Sequence, residues 1–208
     1  PGEPIDGIVT NIETSSNVCT AVIVQTFLGV ESDWAQVALH GDGLGRFAKN
    51  DDFATLGELM NYNAYGRNLE DLHFHPDELL LACLEAKTPQ NFIDSDTFET
   101  LNAGFEKDIK NAINYSSNNN LTILPDESWA RRVVGVLAHR LALENGGPQV
   151  VALVKGSSYQ ISVRANEGVG EFCQEFGGGG RATAGGIDLL PQNRIKDLMS
   201  AANTRWPV

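Results

Sequence analysis

Apolar residues recur three and four positions apart through most of the first 115 residues, a spacing that predicts helices. A short strand is predicted ahead of them, at residues 5–10. The predicted helices cover residues 18–28, 33–40, 51–66 and 75–87, with one or two more across 89–115. The N-terminal half is therefore expected to be mainly helical.

Polar residues and glycines at the ends of the first two segments set the predicted helix limits. Ser15 or Ser16 is expected to cap the first helix and Ser32 the second, because a hydroxyl oxygen accepts from the free N–H groups of a first turn. Gly29 and Gly41 are expected to end these helices, since glycine adopts the left-handed conformation of a helix terminus.

The pattern changes after an Asn/Ser-rich run at residues 114–120, which is predicted to be a domain boundary. Extended segments are predicted at 121–124, 149–156, 158–166 and 186–191, and helices at 128–145 (capped by Ser128), 169–176 and 192–205. The sequence thus predicts an α/β chain, in which a mostly helical part at 1–118 precedes a small α+β domain at 119–208.

Charge and hydropathy narrow the expected partners. The net charge of −12 predicts an acidic surface that repels long duplex DNA, although a short nucleotide in a local basic pocket is not excluded. No apolar run approaches the roughly 18 residues that a membrane helix needs, so no membrane partner is expected. Cys19, Cys83 and Cys173 form no CxxC pair and lie among apolar residues, which predicts buried free thiols and a reducing, cytoplasmic compartment.

The stretch EFGGGGRATAGG at residues 175–186 has two interpretations. Four successive glycines are often a flexible linker, but here a predicted helix leads into them and an apolar segment follows closely. Glycine lets the backbone approach a ligand, successive N–H groups can converge on an anion, and Arg181 adds a charged donor for phosphate. Arg164 lies at the other end of the short helix, so both could face one pocket.

Residues 161–186, ISVRANEGVGEFCQEFGGGGRATAGG, resemble the C-terminal domain associated with DHH-family phosphoesterases. That domain has a serine-x-arginine strand end, a short helix, Gly-Gly-Gly-His and an Ala-Ala-Gly segment; the matching residues are Ser162, Arg164, Gly178, Gly179, Gly180, Ala184 and Gly185. Arg181 stands where most relatives have histidine, which keeps a cation but loses a group that titrates near neutral pH. The resemblance implies that substrate is bound by Arg164, Gly178, Gly179, Gly180 and Arg181.

The first half is similar to the later part of a DHH catalytic domain. Residues 11–28 resemble the segment after the Asp-His-His motif, and VALHGDG at 37–43 resembles the fourth family motif, whose aspartate binds a metal. The resemblance implies that Asp42 is a metal ligand, in an incomplete remainder of a doubly wound DHH domain. The early Asp-x-Asp and Asp-His-His motifs do not precede Asp42. The chain is therefore expected to be part of a longer protein, in which about 100 residues, the size of a small domain, precede Pro1.

Phosphoester hydrolysis with two metal ions needs a cage of carboxylates and histidines around Mn²⁺ or Mg²⁺. One aspartate cannot build that cage, so the chain alone is expected to be inactive and to bind metal weakly or not at all, and no catalytic residue is assigned. His73 and His75 alternate in an extended stretch and could be metal ligands, although such pairs are more often structural. His40 precedes the Gly-Asp-Gly turn, and His139 is expected to pack or cap a helix.

The leading hypothesis is a metal-dependent phosphoesterase that acts on small nucleotides or short oligonucleotides. The alternatives are a module that binds a nucleotide or a short single strand without chemistry, and a regulatory relative that has lost its site. Homodimer formation and the identity of the substrate stay open.

Overall fold

The structure is a computed structural model that describes residues 6–7, 9–13, 15, 17–116 and 120–207. It divides into two compact units, each built from separate stretches of chain. The first unit comprises the chain up to Ala64 together with Phe74–Asn102, and the second comprises Tyr65–His73 and Ala103–Val208. This division falls at other points than the predicted boundary at 114–120, of which residues 117–119 lie outside the described part of the chain.

Helices build the first unit. They are α1 (Thr20–Leu28), α2 (Asp33–Gly41), α3 (Ala54–Ala64), α4 (Pro76–Ala86), α5 (Pro89–Ile93) and the start of α6 (Asp96–Ile113), which continues into the second unit. Helices α2 and α3 pack closely because Gly57 has no side chain: a Cβ there would lie 2.6 Å from the Val37 carbonyl oxygen. Leu56, Leu59 and Tyr62 of α3 are fully buried in this unit.

Two predictions at the N-terminus are wrong. Val9 and Thr10 belong to no strand, and the rest of the predicted strand lies partly outside the described residues. Helix α1 begins at Thr20 with Cys19 at its N-cap position, so Ser15 does not cap it, and Ser16 lies outside the described residues.

The other limits of the first two helices are confirmed. Gly29 follows α1 with φ 65°, the left-handed conformation. Helix α2 ends at Gly41 as predicted, but Gly41 is its last helical residue and has no positive φ, so the expected left-handed terminus is not found there. Ser32 occupies the N-cap position of α2, although its side chain makes no capping hydrogen bond. The five-residue and 18-residue helices α5 and α6 fill the region where one or two helices were predicted.

The second unit holds a mixed sheet. Its strands among the described residues are β1 (Leu121–Leu124), β2 (Gln149–Lys155), β3 (Ser158–Arg164), β4 (Gly179–Gly180) and β5 (Ala184–Pro191), in the order β1-β2-β3-β5-β4. Strands β1 and β2 are parallel, and all other neighbours are antiparallel. Its helices are the end of α6, α7 (Ser128–Asn145), α8 (Val169–Glu175) and α9 (Ile195–Arg205). This architecture confirms the predicted α/β class.

The two faces of the sheet differ because side chains alternate along a strand. Ile161 and Val163 of β3 point to the face where Val169 and Phe172 of α8 complete an apolar core. Ser162 and Arg164 therefore point to the other face, against which α7 packs at β2 and β3. This second face carries the polar residues that the sequence singled out.

Two further features of the described residues bear on the predictions. Helix α7 begins with Ser128, and Glu127 occupies the N-cap position, so Ser128 is not the predicted cap. Cys19 and Cys173 are buried free thiols as predicted, whereas Cys83 is half-buried. No helix in the described part of the chain is long and apolar enough to span a lipid bilayer.

Candidate functional site

The glycine run is a packed part of the sheet. Gly177 has φ 83° and follows the end of α8, where the Gly178 N–H donates to the Cys173 carbonyl oxygen at 2.8 Å. Gly179 and Gly180 then form β4, in which they pair with Gly186 and Gly185 of β5. The linker interpretation of these glycines is therefore excluded.

The glycine before β4 and the glycines of β4 and β5 differ in the space around them. A Cβ on Gly178 would overlap with the Gly186 carbonyl oxygen, and one on Gly180 with the Ala184 carbonyl oxygen. A Cβ on Gly185 would lie 2.7 Å from the Cys173 sulfur. At Gly179, by contrast, a Cβ would meet nothing within 4 Å. Close packing thus explains three of these glycines and leaves Gly179 open.

Strand register places Gly179 beside the polar end of β3. Residues directly opposite each other on neighbouring strands point to the same side of a sheet. Ser162 pairs with Gly186, and Gly186 pairs with Gly179, while Arg164 lies two residues beyond Ser162 on the same side. We call this side of β3, β5 and β4 the glycine face. It offers backbone almost bare of side chains next to a guanidinium group.

Arg164 is half-buried at the edge of the glycine face. Its Nη1 donates to Ser162 Oγ and to the Val163 carbonyl oxygen, each at 3.0 Å. No ion pair among the described residues includes Arg164, and its Nε and Nη2 donate to none of those residues. One edge of the guanidinium group is therefore available to a ligand.

The surroundings of Arg164 favour an anion. Burial lowers the pKa of Arg164; the Arg181 charge lowers it further, while Tyr65 opposes this shift. Both effects lower the pKa because burial and a second positive charge make the charged guanidinium group less favourable than it is in water. A bound phosphate would offset this through charge-assisted, bidentate hydrogen bonds.

Arg181 lies in the turn between β4 and β5, with an exposed side chain. Its N–H donates to the Ala184 carbonyl oxygen at 2.8 Å, and its carbonyl oxygen accepts from the Gly170 N–H at 2.9 Å. The Ala182 carbonyl oxygen likewise accepts from the Val169 N–H at 3.0 Å. The turn thus occupies the first N–H groups of α8.

These bonds correct one part of the predicted phosphate loop. Successive N–H groups of the run were interpreted as able to converge on an anion, but those of Gly178 and Arg181 donate to backbone carbonyl oxygens. The reason is that the run is a helix terminus followed by a hairpin, and both motifs use their own N–H groups. The space beside Gly179 stays open, because a Cβ there would meet nothing within 4 Å.

The predicted metal ligand lies in the first unit. Asp42 is exposed just after α2, and its N–H donates to the Ala38 carbonyl oxygen. Neighbouring His40 is held by the Asn50 carbonyl oxygen, 2.9 Å from its Nε2. In the part of the chain that the structure describes, no three His, Cys, Asp or Glu side chains are grouped so that they could hold a metal ion. The described residues therefore do not form a metal cage, and Asp42 remains a predicted single ligand.

His73 and His75 each have a local role. His75 precedes α4, where its Nδ1 accepts from the Asp77 N–H at 3.2 Å and caps the helix. His73 is half-buried against α6, where a Cβ on Gly104 would lie 2.5 Å from its Nε2. Burial and the charge of Arg132 lower the pKa of His73. His139, which was expected to be packed or capping, is exposed in the middle of α7.

Sequence reasoning missed a buried cluster around Asp71, a residue that is 3% exposed. Its carboxylate accepts from Arg131, from the Ser128 hydroxyl at 2.6 Å and from the Arg67 N–H at 2.8 Å. Arg132 pairs with Asp108 at 2.7 Å. Arg131 and Arg132 of α7 are therefore bound to carboxylates inside the second unit. No local sequence pattern marks the contacts of Asp71 with Ser128 and Arg131 or of Asp108 with Arg132, because these partners lie 24 or more residues apart along the chain.

Two open cavities lie elsewhere. One, of about 530 Å³, is lined by Phe172, Glu175, Asp197, Ser200, Ala201, Thr204 and Arg205. The other, of about 420 Å³, is mostly apolar and lies between α1 and the segment before it. Neither includes Arg164, Arg181 or the glycine run.

No family model matches the sequence, and no curated protein sequence matches it. Among solved structures, a pGpG-specific phosphodiesterase, PggH from Vibrio cholerae, matches 88% of this chain and 72% of its own, with 13% identity and a TM-score of 0.57. The chain shares the fold of this phosphodiesterase, which belongs to the DHH family. RecJ from Thermus thermophilus, solved with Mg²⁺, matches with 16% identity and a TM-score of 0.45; this chain covers 37% of it.

The DHH fold confirms the resemblance inferred from the residues, and it shows the fold alone at this identity. Within this fold the structure brings together Ser162, Arg164 and Gly179 on one face, with the charge of Arg181 close enough to act on Arg164. Asp42 belongs to the other unit. The roles of all these residues as substrate or metal ligands stay predictions.

Proposed function

We propose that this chain binds the phosphate of a small nucleotide or short oligonucleotide and forms the substrate-binding part of a DHH-type phosphoesterase. The observation that carries the proposal is Arg164, a half-buried guanidinium group without a carboxylate partner among the described residues, next to the open glycine face.

Each residue of the site has a chemical part. Ser162 and the Val163 carbonyl oxygen hold Nη1 of Arg164, which fixes the plane of the guanidinium group. Its Nε and Nη2 then donate to two phosphate oxygens, the geometry in which arginine binds phosphate best. The absence of a side chain at Gly179 lets a phosphate or sugar lie against the backbone. Arg181 adds a second positive charge from the turn.

Divalent metal chemistry fits the fold but not the described residues, because these form no cage of three ligands. We derive no hydrolytic step for this chain for that reason. Asp42 is proposed as one ligand of a Mn²⁺ or Mg²⁺ site whose other ligands come from elsewhere in a longer protein. On this view the chain binds substrate and does not turn it over alone.

The second candidate is a binding module without chemistry. The same lack of a three-ligand group among the described residues favours it. The two candidates share the phosphate site and differ only in whether hydrolysis follows binding.

Calorimetry with a 5′-mononucleotide, its nucleoside and inorganic phosphate tests the shared part. Binding that depends on the phosphate is expected, and Arg164→Ala should weaken it by about tenfold or more, since hydrogen bonds to charged groups are among the strongest in proteins. Arg194→Ala is the matched control, because Arg194 is exposed in the same unit and its removal changes the net charge equally. Equal effects of the two changes would contradict the proposal.

An assay with Mn²⁺ and the dinucleotide pGpG separates the candidates. Binding without turnover by this chain is expected under both. Turnover that appears when the chain is part of a longer protein, and that Asp42→Asn removes there, would establish the phosphoesterase. Binding without turnover in that longer protein would establish the module.

A further inference from the structure

Tyr65 packs on α7 at a glycine. A Cβ on Gly135 would lie 2.9 Å from Tyr65 Cζ and 3.0 Å from its Oη, so the ring reaches the helix because residue 135 has no side chain. Glycine in the interior of a helix is less favourable than alanine, which calls for a local reason at this position. The phenol ring of Tyr65 supplies one.

The ring lies next to the candidate site. Helix α7 packs against β3, and Ser162 and Arg164 lie on the side of β3 opposite to the apolar core that α8 completes. Tyr65 lies within electrostatic range of the Arg164 guanidinium group. Tyr65 and Arg164 both belong to the second unit.

The hydroxyl of Tyr65 is available for a ligand. Among the residues that the structure describes, Tyr65 Oη makes no hydrogen bond, and it is not one of their buried unpaired polar atoms. The Nε and Nη2 atoms of the nearby Arg164 also make no hydrogen bond with the described residues. A neutral O–H donor and a cationic N–H donor are thus both open at one site.

The position of Tyr65 is fixed by the segment to which it belongs. We call this segment, Tyr65–His73, the anchor segment. Asp71 accepts from the Arg67 N–H in this segment and from Arg131 on α7, and the Asp71 carbonyl oxygen accepts from Arg132. The anchor segment is therefore bonded to the same helix against which the Tyr65 ring packs, which preorganises the hydroxyl.

We propose that Tyr65 contacts the anion bound by Arg164 and donates its hydroxyl hydrogen to a phosphate oxygen, and that Gly135 is needed to admit its ring. This inference rests on the proposed function, because the anion is the phosphate of that site. The neutral donor fixes one oxygen while Arg164 binds the others.

Calorimetry with the 5′-mononucleotide tests it on the whole chain. Tyr65→Phe keeps the ring and removes only the hydroxyl, so affinity should fall about tenfold while the melting temperature stays the same. Tyr115→Phe is the matched control, since Tyr115 is a 48% exposed tyrosine. It should bind as the unchanged chain does.

Gly135→Ala provides a second test without touching the ligand. The added Cβ displaces the Tyr65 ring, so affinity should fall at least as far as in Tyr65→Phe. In the Tyr65→Phe background the same change should add little, because the displaced ring no longer carries the donor. Binding should also perturb a tyrosine absorption band in the unchanged chain and not in Tyr65→Phe.

The outcomes separate this inference from the function on which it rests. If Arg164→Ala loses binding while Tyr65→Phe and Gly135→Ala bind normally, the role of Tyr65 is refuted and the phosphate site stands. If the unchanged chain binds neither the mononucleotide nor inorganic phosphate, the proposed function fails and the role of Tyr65 fails with it.

Discussion

Arg131 and Asp71 form a doubly hydrogen-bonded ion pair, with Nε 2.8 Å from Oδ2 and Nη2 2.6 Å from Oδ1. The side chains are 15% and 4% exposed, so the pair is shielded from water and salt. It joins the first turn of α7 to the anchor segment, which lies 60 residues earlier in the chain. The second unit therefore depends on a contact that neither stretch of sequence can form alone.

Asp71→Ala should destabilise the second unit strongly. The change leaves Arg131 buried without its main carboxylate, which typically lowers the free energy of unfolding by about 3–5 kcal/mol. Chemical denaturation measures the loss. Asp126→Ala is the comparison, because Asp126 also pairs with Arg131 but is 33% exposed, and about 1 kcal/mol is expected there. Similar losses in both variants would show that burial does not govern this cluster.

The same cluster predicts a loss of stability in acid. Hydrogen bonds from Arg131 hold the pKa of Asp71 well below its ordinary value, and Arg67 and Arg131 lower that of Asp126. A carboxylate whose pKa is lowered by folding stabilises the fold above its unfolded pKa, and this contribution is lost as the pH falls below about 4. The melting temperature should fall less steeply between neutral pH and pH 3 in Asp71→Asn than in the unchanged chain. Equal slopes in the two proteins would show that Asp71 does not cause the loss of stability in acid.

Substitutions along the glycine run should separate packing from binding. Gly178→Ala and Gly180→Ala force a Cβ into backbone atoms and should cost about 1–3 kcal/mol of stability. Gly179→Ala meets nothing within 4 Å, so its melting temperature should not change, whereas its phosphate affinity should fall. Normal binding by Gly179→Ala would mean that the ligand does not approach this residue.

Cys173 should react slowly with thiol reagents. Burial raises the pKa of Cys173 to about 11, and the Arg164 charge opposes this only in part. The reactive thiolate is then scarce at pH 8, and the sulfur also lies under Gly185. Alkylation followed by mass spectrometry should label Cys173 only after unfolding, with Cys173→Ala as the blank. Labelling of the folded chain as fast as of the unfolded one would be inconsistent with this environment.

Local sequence signals predicted the elements whose limits are set locally. Gly29 and Gly41 end their helices as expected, and Pro76 begins α4. Strand β4 consists of two glycines and was not predicted, but strands β1, β2 and β3 follow their apolar runs. Fold class was accessible from the sequence for this reason.

Contacts between distant residues account for what the sequence did not reveal. Ser128 resembles a helix cap, but its hydroxyl donates to Asp71, 57 residues away. The glycine run resembled a phosphate loop, but the Gly178 N–H is used by the end of α8 and the Arg181 N–H by a hairpin that depends on the pairing of β4 with β5. Tyr65 showed no signal at all, since its importance lies in its proximity to Gly135 and Arg164.

The anchor segment also limits how this protein can be recombined. A chimera that joins residues 119–208 to an unrelated protein would carry Arg131 and Arg132 without Asp71 and Asp108, the buried carboxylates with which they pair, and would leave Arg131 with the more exposed Asp126. The second unit is therefore not a cassette that exchanges as one contiguous piece. Evolutionary shuffling, like laboratory grafting, has to move residues 65–73 together with residues 103–208. The stretch 65–73 is flanked on both sides by the first unit.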